Sequence, residues 1–302
     1  MNLEKNGPWL EVRVPKKAAG RTVAAVLAME AGLPERVTEE LFRSGQVMKN
    51  KEVTSPHEEV KQGDRLRCLL FPEEPYGVPP EMLPLDVLYE DDHLLVVNKR
   101  AGVKVHPNSP DETDTLMNAI AFHYQMQGLE ARVRQLHRLD QETSGAILFP
   151  KHAIAQKLLD EMLTSRTISR EYWAVVKGKV ERDAGLIDEP IGRDRYHATR
   201  RRVSRTGKPA QTEYAVLERL RGATLVRAKL RTGRTHQIRV HLAHIGHPLL
   251  GDDLYGGPMD KIGRQALHAA FLRFPHPLSG EPLEIEAPLP DDMANLFDRL
   301  RG

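Results

Sequence analysis

The run His137-Arg138-Leu139-Asp140-Gln141-Glu142-Thr143-Ser144-Gly145 sets a carboxylate between an arginine and a cluster of hydroxyl and glycine residues, just before the apolar stretch Ala146 to Phe149. Thr143 and Ser144 can hydrogen-bond local backbone and hold a turn, and Gly145 permits a positive φ or the close approach of another chain. Such a turn can present Asp140 rigidly. A lone aspartate in a turn is more commonly a loop cap or a surface ion pair, and these residues alone leave that reading open. With Glu142 so near in sequence, the pair could also serve a glycosidase.

A second run, Thr232-Gly233-Arg234-Thr235-His236-Gln237-Ile238-Arg239-Val240-His241, continues through His244 to Gly246-His247-Pro248. From Thr235 onward the spacing predicts a helix with Ile238, Leu242 and Ile245 on one face and Arg239 nearby, able to deliver a cation to the core. His241 and His244, at helical spacing, invite a zinc site. The stretch has no Asp, Glu or Cys ligand and no H-E-x-x-H arrangement, so capping, packing or RNA contact is the plainer use of its four histidines.

Charge clusters in a third place. The chain as a whole carries 44 Lys and Arg against 42 Asp and Glu, a formal net charge of +2, too small to imply a polyanionic partner. Between Arg193 and Lys208, however, seven basic residues stand against one acid, Asp194. Arg200, Arg201 and Arg202 are expected on phosphate, with a solvated charged loop as the alternative.

These runs need a scaffold, and 302 residues suffice for a substantial core plus a smaller module. Residues 1–71 read as that module: extended Glu11 to Val14, helical spacing over Val23 to Ala31 and Glu35 to Arg43, then short alternating runs. Pro72 to Pro84, with five prolines and a glycine, reads as a semi-rigid linker, leaving 85–302 as the larger domain. There, Val87 to Asn98 reads as strand, turn and strand, and Thr115 to His123 and Ala153 to Leu163 as helices. Arg170 to Val176, Thr212 to Leu217 and Thr224 to Leu230 read as strands. Their long, irregular connections predict an α+β fold with a mixed sheet and flanking helices.

Cys68 is the sole cysteine and sits in an apolar run, so it reads as a small buried hydrophobe and no intramolecular disulfide framework is possible. Met1 to Gly20 lacks the apolar core of a secretory signal, and no stretch approaches the roughly 20 apolar residues of a membrane-spanning helix. A soluble, cytoplasmic protein without membrane association is expected.

Taken together, the ordered motifs resemble the RluA-type pseudouridine synthases, which modify uridines in ribosomal and transfer RNA. The resemblance rests on the run around Asp140 and on Arg234-Thr-His-Gln-Ile-Arg239. It extends to Leu88-Tyr-Glu-Asp-Asp-His-Leu-Leu-Val-Val-Asn-Lys99, Ala101-Gly102 and His106-Pro107. Arg170-Glu-Tyr172, Pro190-Ile-Gly-Arg193, Gly207-Lys-Pro-Ala-Gln-Thr212 and Gly251-Asp-Asp-Leu-Tyr-Gly256 complete it, so that it spans about Leu85 to Pro288. More distantly, residues 1–71 resemble an S-four-like RNA-binding module, with Met48-Lys49-Asn50-Lys51 standing in place of a Val-Asn-Gly-Lys turn.

The resemblance implies a pseudouridine synthase fold with a central, mostly antiparallel sheet, and neither metal nor organic cofactor. Asp140 would be the nucleophile, Arg239 its ion-pair partner, and Tyr172 an aromatic platform for the uracil, close enough to assist proton removal. Arg138 would fill the space of the extruded base, and Ile238 would pack on Tyr172. His137, Thr143, Arg234 and His236, from the same two runs, are expected at substrate or RNA. Ribosomal RNA of the large subunit is the expected partner, with transfer RNA the alternative, and the enzyme is expected to be a monomer. A non-catalytic RNA-binding assembly factor with the same fold is the competing reading.

Overall fold

The structure, a computed structural model, describes residues 3–109 and 111–302; Met1, Asn2 and Pro110 lie outside the described residues. Two sheets organise it. β1 (Leu3–Asn6) and β2 (Trp9–Arg13) form a hairpin where the sequence predicts one extended stretch, because the polar β1 has no apolar alternation to reveal it. α1 (Val23–Ala31) and α2 (Glu35–Arg43) follow on the expected stretches. The Thr22 hydroxyl caps α1 by accepting from the Ala25 N–H at 3.3 Å, and Gly32, at φ 63°, ends it. β3 (Val47–Lys49), β4 (Glu52–Val53) and β5 (Arg65–Leu69) complete a five-stranded antiparallel sheet in the order β1-β2-β5-β3-β4. Cys68 is fully buried in this core, and burial pushes its thiol up to about 12.

Pro72 to Pro84 carries no helix or strand. It is held against the larger body: Tyr76 and Val78 pack on the main core, the Tyr76 carbonyl accepts from the Val133 N–H at 2.9 Å, and the Pro79 carbonyl accepts from the Asn118 amide at 2.9 Å. The N-terminal core also continues into that body through Ile154, Leu158 and Leu278. Burial of such side chains is worth about 1.5–3 kcal/mol each, enough to dock the module by packing as well as by chain connection.

The larger body is built on β6 (Val87–Glu90), β7 (Leu94–Lys99), α3 (Leu116–Met126), β8 (Ser144–Pro150), α4 (Ala153–Thr164), β9 (Ser169–Lys177) and β10 (Ala184–Asp188). A short hairpin of β11 (Ile191–Arg193) and β12 (Arg201–Val203) follows, then β13 (Gln211–Leu220), β14 (Ala223–Leu230), α5 (Gln237–His244), β15 (Leu267–Pro275), β16 (Pro282–Glu286) and α6 (Asp291–Arg301). Nine of these strands form one sheet in the order β10-β13-β14-β9-β15-β8-β7-β6, with β16 beside the far end of β15. Only the β8–β15 pair is parallel, so the sheet is mixed and mostly antiparallel, as expected.

β8 is buried along its whole length, as a central strand covered on both faces must be, which explains its unbroken apolar sequence. The centre of the sheet decides where the chemistry sits. Gly145 on β8, Ala269 on β15 and Tyr172 on β9 stand in one row. Gly145 has φ 113°, and a Cβ there would lie 2.2 Å from the Ala269 carbonyl oxygen. Both anticipated uses of this glycine therefore hold at once: only a residue without a side chain lets β15 slot between β8 and β9.

Candidate active site

Asp140 lies in the loop that enters β8. Burial alternates along this segment: His137 is 8% exposed and Leu139 5%, whereas Arg138 is exposed and the Asp140 side chain is 17% exposed. Alternate residues of an extended segment face opposite sides, so Arg138 and Asp140 share the outer face while His137 and Leu139 enter the core. His137, expected at substrate or RNA, is thus turned inward, its Nε2 accepting from the Leu148 N–H at 3.4 Å. Burial and the Arg170 charge push it down to about 3, against the opposing Arg138 carbonyl.

The turn closes through the Thr143 N–H, which donates to the Asp140 carbonyl at 3.0 Å. The hydroxyls do not hold local backbone, as the sequence suggests; they reach across to β15 and its approach. Thr143 Oγ1 accepts from the Gln265 amide at 3.4 Å, and Ser144 Oγ meets His268 Nδ1 at 3.0 Å. Two buried cations then fix the loop's carbonyls. Lys99 donates to the carbonyls of Arg100, Val103 and Gln141 at 2.9, 2.8 and 2.7 Å, and Arg264 donates to that of Glu142 at 3.0 Å. Arg264 is itself gripped by Asp292 in the first turn of α6, at 2.6 and 2.9 Å. Burial pushes Lys99 down to about 7, with the charges of Glu142 and Asp140 opposing it.

The second run supplies the opposite wall. α5 begins at Gln237, later than its apolar spacing suggests, because His236 adopts the left-handed conformation at φ 58°. The Gln237 side chain straps the preceding loop: its oxygen accepts from the Arg234 N–H at 2.9 Å and the Thr232 hydroxyl at 2.8 Å. Arg239 then points back beneath Asp140, donating to its Oδ2 at 3.0 Å. The rest of its guanidinium is bidentate on Asp252, at 2.7 and 2.8 Å, with Asp252 fully buried. Burial works against the Arg239 cation, but the bonds and charge of Asp252, joined by Asp140, outweigh it and raise its pKa above the usual arginine value. Tyr255 covers the guanidinium with its ring at 5.0 Å, and its hydroxyl meets His236 Nδ1 at 2.8 Å. That hydroxyl also accepts from the Arg201 N–H at 3.0 Å. His236 Nε2 lies 3.8 Å from Asp140 Oδ2.

Arg138, Asp140, Thr143, Tyr172, Arg234, His236, Ile238 and Arg239 line one narrow cleft, with Leu230 and Leu267 as its apolar side. Its volume is about 50 Å³, and the exposed Arg138 and Arg234 stand among its lining residues. Tyr172 is 4% exposed; burial raises its phenol's pKa, the Arg170 charge opposes this and the Asp140 charge adds to it. Arg200, Arg201 and Arg202 lie outside this cleft. Arg201 and Arg202 stand on β12 and not in a loop, while Arg200, in the connection before β12, is bound to Asp194 at 2.7 Å.

The histidines of the second run are engaged elsewhere. His241 meets the Thr212 hydroxyl and the Glu189 carbonyl, both at 2.9 Å, and His247 meets the Lys177 carbonyl at 3.0 Å. Among the described residues no three His, Cys, Asp or Glu side chains gather as a metal site. Glu142 lines a different hollow, with Arg264 and Asp292, so it does not face Asp140 across a shared substrate as a glycosidase pair would. Asp252 and Tyr255 were absent from the sequence-derived site; the only signal for them was the Gly251–Gly256 motif, whose spacing says nothing of a partner.

This site has known relatives. The family described as RNA pseudouridylate synthase matches residues 93–244. Over 299 residues the chain is 45% identical to the "Uncharacterized RNA pseudouridine synthase YhcT" of Bacillus subtilis (strain 168), covering 97% of this chain and 98% of that one. It is 46% identical over 231 residues to the "Ribosomal large subunit pseudouridine synthase D" of Nitrosomonas europaea, covering 74% of this chain and 67% of that one. Among solved structures, "Human RNA Pseudouridylate Synthase Domain Containing 1" superposes with a TM-score of 0.59 at 29% identity, covering 70% of this chain and 86% of that one. The class so defined is an isomerase acting on RNA. Within it, the chain belongs to the RNA pseudouridylate synthase family.

Proposed function

We propose that this enzyme converts specific uridines of large-subunit ribosomal RNA to pseudouridine, with Asp140 as nucleophile. The observation that carries the reading is the Arg239 guanidinium, locked by Asp252 and bonded to Asp140 beneath a cleft shared with Tyr172. An opposite charge at hydrogen-bonding distance fixes the direction in which the carboxylate faces the cleft, as a nucleophile requires. Relatives named for large-subunit ribosomal RNA, at 46% and 38% identity, support the substrate.

A uridine stacked in folded RNA reaches the cleft only by flipping out, at a cost of a few kcal/mol. Arg138, exposed at the mouth on the same face as Asp140, fills the vacated space and offsets that cost. Tyr172 stacks on the uracil, a contact typically worth about 1–3 kcal/mol. Asp140 bonds to the substrate as the bond from ribose to N1 breaks; the uracil turns, C5 bonds to the sugar carbon that N1 left, and the bond to Asp140 breaks to free the carboxylate. C5 loses a proton and N1 gains one, so composition is unchanged and neither water nor oxidant is consumed. His137 acts behind the site as packing, and His236 stands beside the carboxylate, its Nε2 3.8 Å from Asp140 Oδ2.

Among the described residues no helix is long and apolar enough to cross a membrane, and we read the enzyme as a cytoplasmic monomer. The five-stranded N-terminal sheet with its two helices supports reading residues 1–71 as an S-four-like RNA-binding module. The test is to map pseudouridine in RNA from cells lacking the protein and to complement them with the wild type or Asp140→Asn. Sites lost from large-subunit RNA and restored only by the wild type are expected. An unchanged map would favour a non-catalytic assembly factor.

A further inference from the structure

Beside the reaction cleft lies a second one of about 440 Å³, between the β11–β12 hairpin and the loop joining β14 to α5. Its cations are Arg193, Arg201, Lys208 and Arg234, and no carboxylate lines it. None of the four forms an ion pair among the described residues, although Arg200, next in sequence to Arg201, is held by Asp194. The Arg201 Nε is buried and has no acceptor. A buried donor without an acceptor costs about 1–3 kcal/mol, and more when charged, so evolution retains one where a ligand supplies the acceptor.

Behind the lining residue Gly233 the pattern repeats. Arg170 is 7% exposed, its Nε is buried without an acceptor, and it forms no ion pair among the described residues. Its Nη1 lies 3.1 Å from where a Cβ on Gly233 would stand, so the bare backbone of Gly233, itself a lining residue, leaves room for the guanidinium. On the opposite side, Lys208 and Ile191 exchange backbone N–H···O bonds of 2.9 Å each, and Gly207 permits this closeness, since a Cβ there would lie 2.4 Å from the Ile191 carbonyl carbon. The hairpin is therefore drawn tight against its own base, holding the cations around one hollow.

Two links join this hollow to the chemistry. Arg234 lines both clefts, and the Arg201 N–H bonds the Tyr255 hydroxyl that orients His236. We propose that this cleft seats the RNA phosphodiester adjoining the flipped uridine, through Arg193, Arg201, Lys208 and Arg234 with Arg170 behind. The proposal rests on the reading that the uridine enters the Asp140 cleft. A diester bears one negative charge and two free oxygens that accept from several guanidinium groups at once, and it is the only anion that RNA repeats at every nucleotide.

The test uses the full-length protein and total RNA, labelled with [5-³H]uridine, from cells lacking it. Filter retention of this RNA over a salt series reads phosphate contacts, and tritium release reads turnover, because the C5 hydrogen departs in the isomerisation. For Arg201→Gln the slope of log affinity against log salt should become shallower by about 0.7–0.9, the value of one lost phosphate contact. The RNA concentration giving half-maximal release should rise severalfold while the maximal rate stays within about twofold, the pattern of lost uniform binding. Arg201→Lys should restore the slope, and the exposed Arg193→Gln and Lys208→Gln, which carry no fold contacts of this kind, should each reproduce part of the effect. Arg301→Gln, on α6 and paired with Glu218, is the control of equal charge. Slopes for Arg201→Gln, Arg193→Gln and Lys208→Gln equal to that of Arg301→Gln would overturn the proposal. Failure of the wild type to release tritium would instead sink the uridine reading, and the retention slopes would still report on the cleft.

Discussion

Arg239 and Arg201 meet the same tyrosine, one under the ring of Tyr255 and the other at its hydroxyl, yet they live in opposite electrostatic conditions. Arg239 is bonded to two carboxylates, and its site needs nothing further to be held in shape. Arg201 and Arg170 each have a buried guanidinium Nε that bonds to nothing among the described residues. The difference teaches how one surface divides labour. A cation answered from within orients a reacting group before substrate arrives, whereas a cation left unanswered is completed by the substrate itself.

The severest way to break this contrast is Asp140→Asn, which removes the nucleophile and leaves its isosteric outline. Turnover should fall by roughly four orders of magnitude, as for a nucleophile lost from a concerted set of groups, while RNA retention and thermal unfolding stay near wild type. Substantial residual tritium release would refute the assignment. Asp252→Asn converts Arg239 from an answered to a half-answered cation. Unfolding by denaturant should show a loss of about 3–5 kcal/mol, the usual result of stripping one partner from a buried pair, with turnover reduced about a hundredfold as Asp140 loses its fixed neighbour. Normal activity in that variant would mean that Asp140 alone holds Arg239.

Smaller effects sharpen the other side. Arg200→Gln should weaken RNA retention less than Arg201→Gln does, by about twofold or below, because Asp194 already neutralises that exposed guanidinium. Equal effects would deny that pairing matters on the hairpin. The mildest prediction concerns pH. Burial and then the Asp140 charge raise the Tyr172 pKa above its ordinary value near 10, with the Arg170 charge alone opposing. The phenol therefore stays protonated throughout the range below that value, and the maximal rate should be flat from about pH 7.5 to 9.5. Arg170→Gln, by removing the opposing charge, should push the ionisation higher still. A rate that climbs through this window would show that the phenolate is the working base.

The groups proposed for the chemistry were more legible than the groups that hold them. Asp140, Tyr172 and Arg239 stood out because reactive types recurred in ordered motifs, and the structure gathers them in one cleft. Asp252 did not, since spacing cannot say which of many acids will be buried against which arginine. The inward turn of His137 was not legible because a motif reveals membership and not the side on which each residue falls; the alternation along Arg138-Leu139-Asp140 depends on a loop that no periodicity marks. Likewise the β11–β12 hairpin read as a loop, its charged strands lacking apolar alternation. The row Gly145–Ala269–Tyr172 joins β15 to two strands far earlier in the chain, and only the folded sheet brings them into register.

That row sets a time order on the enzyme's birth. β15, which sits between the strand after Asp140 and the strand bearing Tyr172, emerges from the ribosome long after both, and the Asp292 grip on Arg264 comes later still. A growing chain thus carries its reactive aspartate and tyrosine with no wedge to set them side by side.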